Sequence, residues 1–132
     1  MAVAIDRRAV GRGIVAYLAV AVPCGLVLWL GGPSQAGHES NLWVVAALAL
    51  VLVAPLLAGA VAGGAQPSPL VHGALAVAVP AGAFLILRVI VGVGQGTLTA
   101  TQAVNFLLFL VVFTSLGMLG GYLGFRRRQR LA

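Results

Sequence analysis

The chain has 132 residues, 61% of them hydrophobic and only 8% charged, a balance that excludes a soluble globule able to cover itself with polar side chains. The net charge of +6 would suggest nucleic acid in a soluble protein, but the placement of the arginines excludes that reading here. Arg7, Arg8 and Arg12 come before the first apolar run, and Arg126, Arg127, Arg128 and Arg130 follow the last.

An α-helix needs about 20 apolar residues to cross roughly 30 Å of hydrocarbon. Four stretches meet that length, at residues 14–31, 43–63, 70–93 and 102–124, and they predict an all-α polytopic membrane protein with four helices in a compact bundle. Residues 1–13 and 125–132 form a basic N-terminal segment and a basic tail. The first and third connections carry no Arg or Lys, so the positive-inside rule puts both termini in the cytoplasm. Trp29 and Trp43 then fall at the outer interface and Tyr122 at the inner one. Every basic residue is Arg, and Ala, Val and Gly abound, a composition typical of a high-GC bacterial genome. The plasma membrane of a bacterium is the location this predicts.

The first run follows a basic stretch and is trailed by Ser34-Gln35-Ala36, a small-x-small pattern, yet its length exceeds that of a cleaved leader. It is read as a retained span. Cys24 is the single cysteine, so it has no partner for an internal disulfide and reads as a buried thiol.

Residues 18–25 read LAVAVPCG and residues 75–82 read LAVAVPAG, an offset of 57 that also aligns Gly63-Gly64 with Gly120-Gly121. The offset covers one helical hairpin, so a duplication would yield two tandem parallel hairpins related by a twofold axis along the membrane normal. Pro23 and Pro80 occupy equivalent places in the two copies, and Pro55 has no counterpart. Each proline removes an N–H from its helix and is expected to kink it. Gly59 with Gly63, Gly117 with Gly121, and Gly120 with Gly124 form GxxxG pairs, which predict close helix packing within the chain or between chains.

Ionisable residues within spans are costly and kept for use, which singles out Arg88 in the third run. Its stem can snorkel to the outer headgroups. The alternative has Arg88 facing inward to bind an anion or to pair with Glu39, the only acid expected on that side. His72 falls at the inner end of the third run, as a hydrogen-bonded end residue or, less simply, a proton relay. His38 and Glu39 lack the third ligand that a metal site needs. Asn105, Thr114 and Ser115 can hydrogen-bond to other helices. GVGQG before Thr97 has neither the strand nor the lysine of a phosphate loop. No nucleophile-and-base pair or paired carboxylates stand out, so neither catalysis nor a cofactor is expected.

In length and span number the chain resembles the small multidrug-resistance antiporters, which rely on a glutamate within the first span. Here Asp6 and Glu39 are the only acids, and neither lies in that span. Dual-topology fluoride channels are similar in size too, but their glycine-rich motif ending in Arg lies near the start, whereas GGYLGFR lies at the end here, with a strong inside bias of charge. The expectation is therefore an accessory or scaffold subunit of a larger membrane complex. An oligomeric channel or carrier for a small solute or ion is the alternative. Either way the partners are the lipid bilayer and another membrane protein or a second copy.

Overall fold

The computed structural model describes residues 4–30 and 42–131 and contains four α-helices: α1 (Arg7–Leu30), α2 (Leu42–Gly63), α3 (Pro69–Gly94) and α4 (Ala100–Gln129). All four are long and apolar enough to cross a membrane. The helices outrun the apolar stretches at the two arginine-bearing ends. Helix α1 starts at Arg7 rather than near Ile14 because the Asp6 carboxylate accepts hydrogen bonds from the Arg8 and Ala9 amides at 2.9 and 3.3 Å, satisfying N–H groups that a helix start leaves orphaned. Helix α4 runs on to Gln129, and Arg126, Arg127 and Arg128 sit in its last turn, where positive charge suits the helix dipole.

The remaining boundaries also follow from local chemistry. Ser68 precedes α3 and Pro69 opens it, a position where proline's missing N–H costs nothing. Gly96, in the left-handed region at φ 65°, turns the chain after α3 and lets the Thr97 and Leu98 amides return to the Gly92 carbonyl. Thr99 and Gln102 then form a reciprocal capping box at the start of α4.

Helices α2 and α3 each touch all three other helices, whereas α1 and α4 do not touch one another. Cross-sections of the bundle are thus diamond-shaped, with α2 and α3 on the short diagonal. A twofold axis relating α1–α2 to α3–α4 would require the α2·α3 contact to recur as α4·α1. It does not recur, so the neighbour pattern departs from that expected of a symmetric duplication. The proline environments differ as well: Pro23 is exposed, Pro80 half-buried and Pro55 fully buried, each within an unbroken helix.

The interior is built from small side chains and lies towards the arginine end. Ala54, Ala58, Ala76 and Val77 have no exposed surface, and Tyr17, Val20, Ala21 and Phe113 pack around them. Glycine allows the closest approaches. Gly59 abuts the Gly117 carbonyl, Gly120 abuts that of Leu56 and Gly124 that of Ala60, so α4 lies against the backbone of α2. On the other side, Gly121 meets the Pro69 carbonyl and Gly117 and Gly73 meet each other, so α4 also lies against α3. Gly63 fits between Pro69 and Gly121. Such close backbone approaches contribute packing energy through dispersion.

Towards the other end the bundle loosens. From residue 100 to residue 116, α4 has no buried residue, and on α3 the last buried residue before Gly92 is Ala81. Phe84, Ile86, Leu87 and Ile90 of α3, with Leu107, Leu108, Phe109 and Val111 of α4, turn most of their surface outward.

Candidate functional site

Among the described residues the buried polar side chain, His72, lies at the arginine end. His72, in the first turn of α3, has no exposed surface. Its Nε2 accepts a hydrogen bond from the Asp6 amide at 3.0 Å, and its Nδ1 lies 2.9 Å from the Ser68 carbonyl. An amide can only donate, so Nε2 is the acceptor and the proton resides on Nδ1, which donates to Ser68. The network thereby selects one neutral tautomer of the imidazole.

Asp6 is the second member. One carboxylate oxygen accepts from the Arg8 and Ala9 amides, and the other accepts from Gln66 Nε2 at 3.1 Å. The Ala9 and Arg8 amide hydrogen bonds hold the Asp6 carboxyl below its usual value of 3.8, outweighing the opposing effect of desolvation, with lesser help from Gln66 and from the positive charge of Arg12. Asp6, Gln66, Ser68 and His72 therefore tie the entry to α1, the α2–α3 turn and the start of α3 into one knot. The knot has the chemistry of a clasp. Among the described residues the imidazole hydrogen-bonds only to backbone groups, and the Asp6 carboxylate is engaged by α1 and by Gln66.

His72 was expected at this end, hydrogen-bonded. Asp6, Gln66 and Ser68 were not singled out. The signal for two of them was local: Asp6 directly precedes the helix, and Ser68-Pro69 has the pattern of an N-cap followed by proline. That Asp6 reaches His72, 66 positions away, has no local signature.

Arg88 is exposed, and it lies on α3 between Phe84 and Val91, both also exposed. Glu39 and His38 fall outside the described residues, as does any pairing of Arg88 with Glu39. The side chains of Trp29 and Trp43 do so too. Ser115 donates to the Val111 carbonyl of its own helix at 2.8 Å rather than to a neighbouring helix. Cys24 is a buried free thiol. Among the described residues no three His, Cys, Asp or Glu side chains gather as a metal site would require.

Two open grooves flank the clasp. Arg8, Gly11, Arg12 and Val15 line one along α1, with a volume of about 580 Å³. The other, about 380 Å³, runs between Pro67–Val71 and Tyr122 and Phe125 of α4.

What fold and site define is a class, a small bundle of four helices of membrane-crossing length, closed by a polar clasp at its arginine end. No protein family model, curated protein or solved structure matches the chain.

Proposed function

We propose that the chain is a multi-pass protein of a bacterial plasma membrane, with both termini in the cytoplasm, that serves as an accessory or scaffold subunit of a larger membrane complex. The observation that carries this reading is how the polar and small residues are used. At the arginine end Ala and Gly bring backbones into contact, and the polar groups of Asp6, Gln66, Ser68 and the buried His72 hydrogen-bond to one another and to the Arg8 and Ala9 amides. Groups that hold helices together are provided for; groups aimed at a substrate are not among those described. The loosened half of α3 and α4 offers apolar side chains to lipid or to a neighbouring subunit.

Purification from native membranes in a mild detergent, with mass spectrometry and a size measurement, tests the reading. A larger membrane protein recovered in fixed ratio supports it. A homodimer without other subunits that conducts a small solute in liposomes overturns it in favour of a channel or carrier. That second reading is favoured by one observation, the exposed Arg88 amid the apolar face of α3, which a second copy would enclose.

A further inference from the structure

Gly11 poses a physical question that the packing of the bundle does not answer. It lies inside α1, where glycine costs about 1 kcal/mol relative to alanine, and a Cβ built on it would meet nothing within 4 Å. Gly13, two residues on, is its opposite: a Cβ there would lie 2.7 Å from those of Ala62 and Ala76. Gly25 and Gly82 are open in the same way, but neither lines a described groove or has a charged residue within one turn.

Gly11 forms the floor of the α1 groove. Arg8 and Arg12 stand one helical turn apart on either side, both exposed, and Val15 continues the same face into the apolar part of the helix. Asp6, the one acid at this end, has both carboxylate oxygens occupied by the Arg8 and Ala9 amides and by Gln66. Two guanidinium groups therefore flank a gap that exposes helix backbone, with an apolar side chain on one flank only.

We propose that this groove binds the phosphodiester headgroup of an anionic glycerophospholipid. The phosphate sits over Gly11 between Arg8 and Arg12, whose planar forks match its oxygens, and an acyl chain runs along Val15. The absent side chain at Gly11 lets the phosphate come within reach of both arginines at once. The proposal rests on the reading that α1 crosses a bilayer with its arginine end at the interface. It goes further in assigning one face of one helix to one class of lipid.

The test uses the full chain, expressed in bacterial membranes, washed with alkaline carbonate, then exchanged into detergent with equal phosphatidylcholine and phosphatidylglycerol and examined by native mass spectrometry. The wild-type chain is expected to stay in the membrane fraction and to retain phosphatidylglycerol preferentially. Arg8→Gln and Arg12→Gln should each lower that retention about fivefold, matching about 1 kcal/mol per basic side chain at an anionic surface. Gly11→Leu should lower it at least as much while helical content by circular dichroism stays at the wild-type level, and Gly11→Ala should fall between. Several results overturn the proposal: unchanged retention in Gly11→Leu, loss confined to an Arg126→Gln, Arg127→Gln, Arg128→Gln variant, or displacement of the lipid by millimolar inorganic phosphate, which would make this a free-phosphate site. Release of the wild-type chain by carbonate would overturn it together with the membrane reading; the other failures leave that reading intact.

Discussion

Replacing Gly117 with alanine places a methyl group where α3 and α4 come closest. Its carbon would fall 2.6 Å from the Gly73 carbonyl oxygen and 2.8 Å from Val77 Cγ2, where ordinary contact begins at 3.4 Å. The oxygen belongs to the backbone and Val77 is fully buried, so neither can rotate aside. The two helices must part by several tenths of an ångström, and the approach of Gly59 to the Gly117 carbonyl on the α2 side is disturbed with them. Overpacking of this kind costs about 1–3 kcal/mol. Unfolding in detergent micelles, followed by circular dichroism during a titration with a denaturing detergent, measures the loss. Gly82→Ala serves as the control, because a Cβ there meets nothing within 4 Å and alanine favours helix by up to about 1 kcal/mol. Wild-type stability in Gly117→Ala would refute the close approach of α3 and α4.

Three further outcomes test the clasp and the one charge in mid-helix. His72→Leu leaves the Asp6 amide without its buried acceptor and should cost about 1–3 kcal/mol, whereas His72→Gln, with a carbonyl oxygen to offer, should recover part of that in the same titration. Because the Asp6 carboxyl is held below 3.8 in the folded chain, its contribution is fully present above that value and is lost as pH falls through the depressed one. Wild-type stability should accordingly drop more steeply than that of Asp6→Asn as pH falls below 3.8, and parallel acid limbs would contradict the Asp6 hydrogen bonds. Arg88→Leu should stay within about 0.5 kcal/mol of wild type, as exposed positions do; a loss of several kcal/mol would mean that Arg88 has a polar partner.

Four helices were legible because hydrophobic length is a local property, written in each stretch by itself. Their ends were less so. The arginines of α1 and α4 look like polar segments outside a span, yet Asp6 caps the one and the helix dipole accommodates the other, so both become helical turns. The spacing of Gly59, Gly63, Gly117 and Gly121 marked surfaces fit for close approach, but not that α4 would lie against both α2 and α3 while α1 stays clear of it. That is decided by which pairs of surfaces fit, and a repeat of LAVAVP gives no information on it. His72 could be placed at one end from its position in the third run. Its partner could not, since a backbone amide 66 positions away leaves no trace in composition or period.

The position of α4 has a consequence for how the protein is made. Synthesis runs from α1 to α4, and the first three helices are complete while Gly59, Gly63 and Gly73 still lack the carbonyls and glycines that cover them. The helix that supplies Gly117, Gly120, Gly121 and Gly124 is made after the other three. Until it arrives, α2 and α3 hold a bare small-residue seam, so closure of the bundle waits on the synthesis of α4.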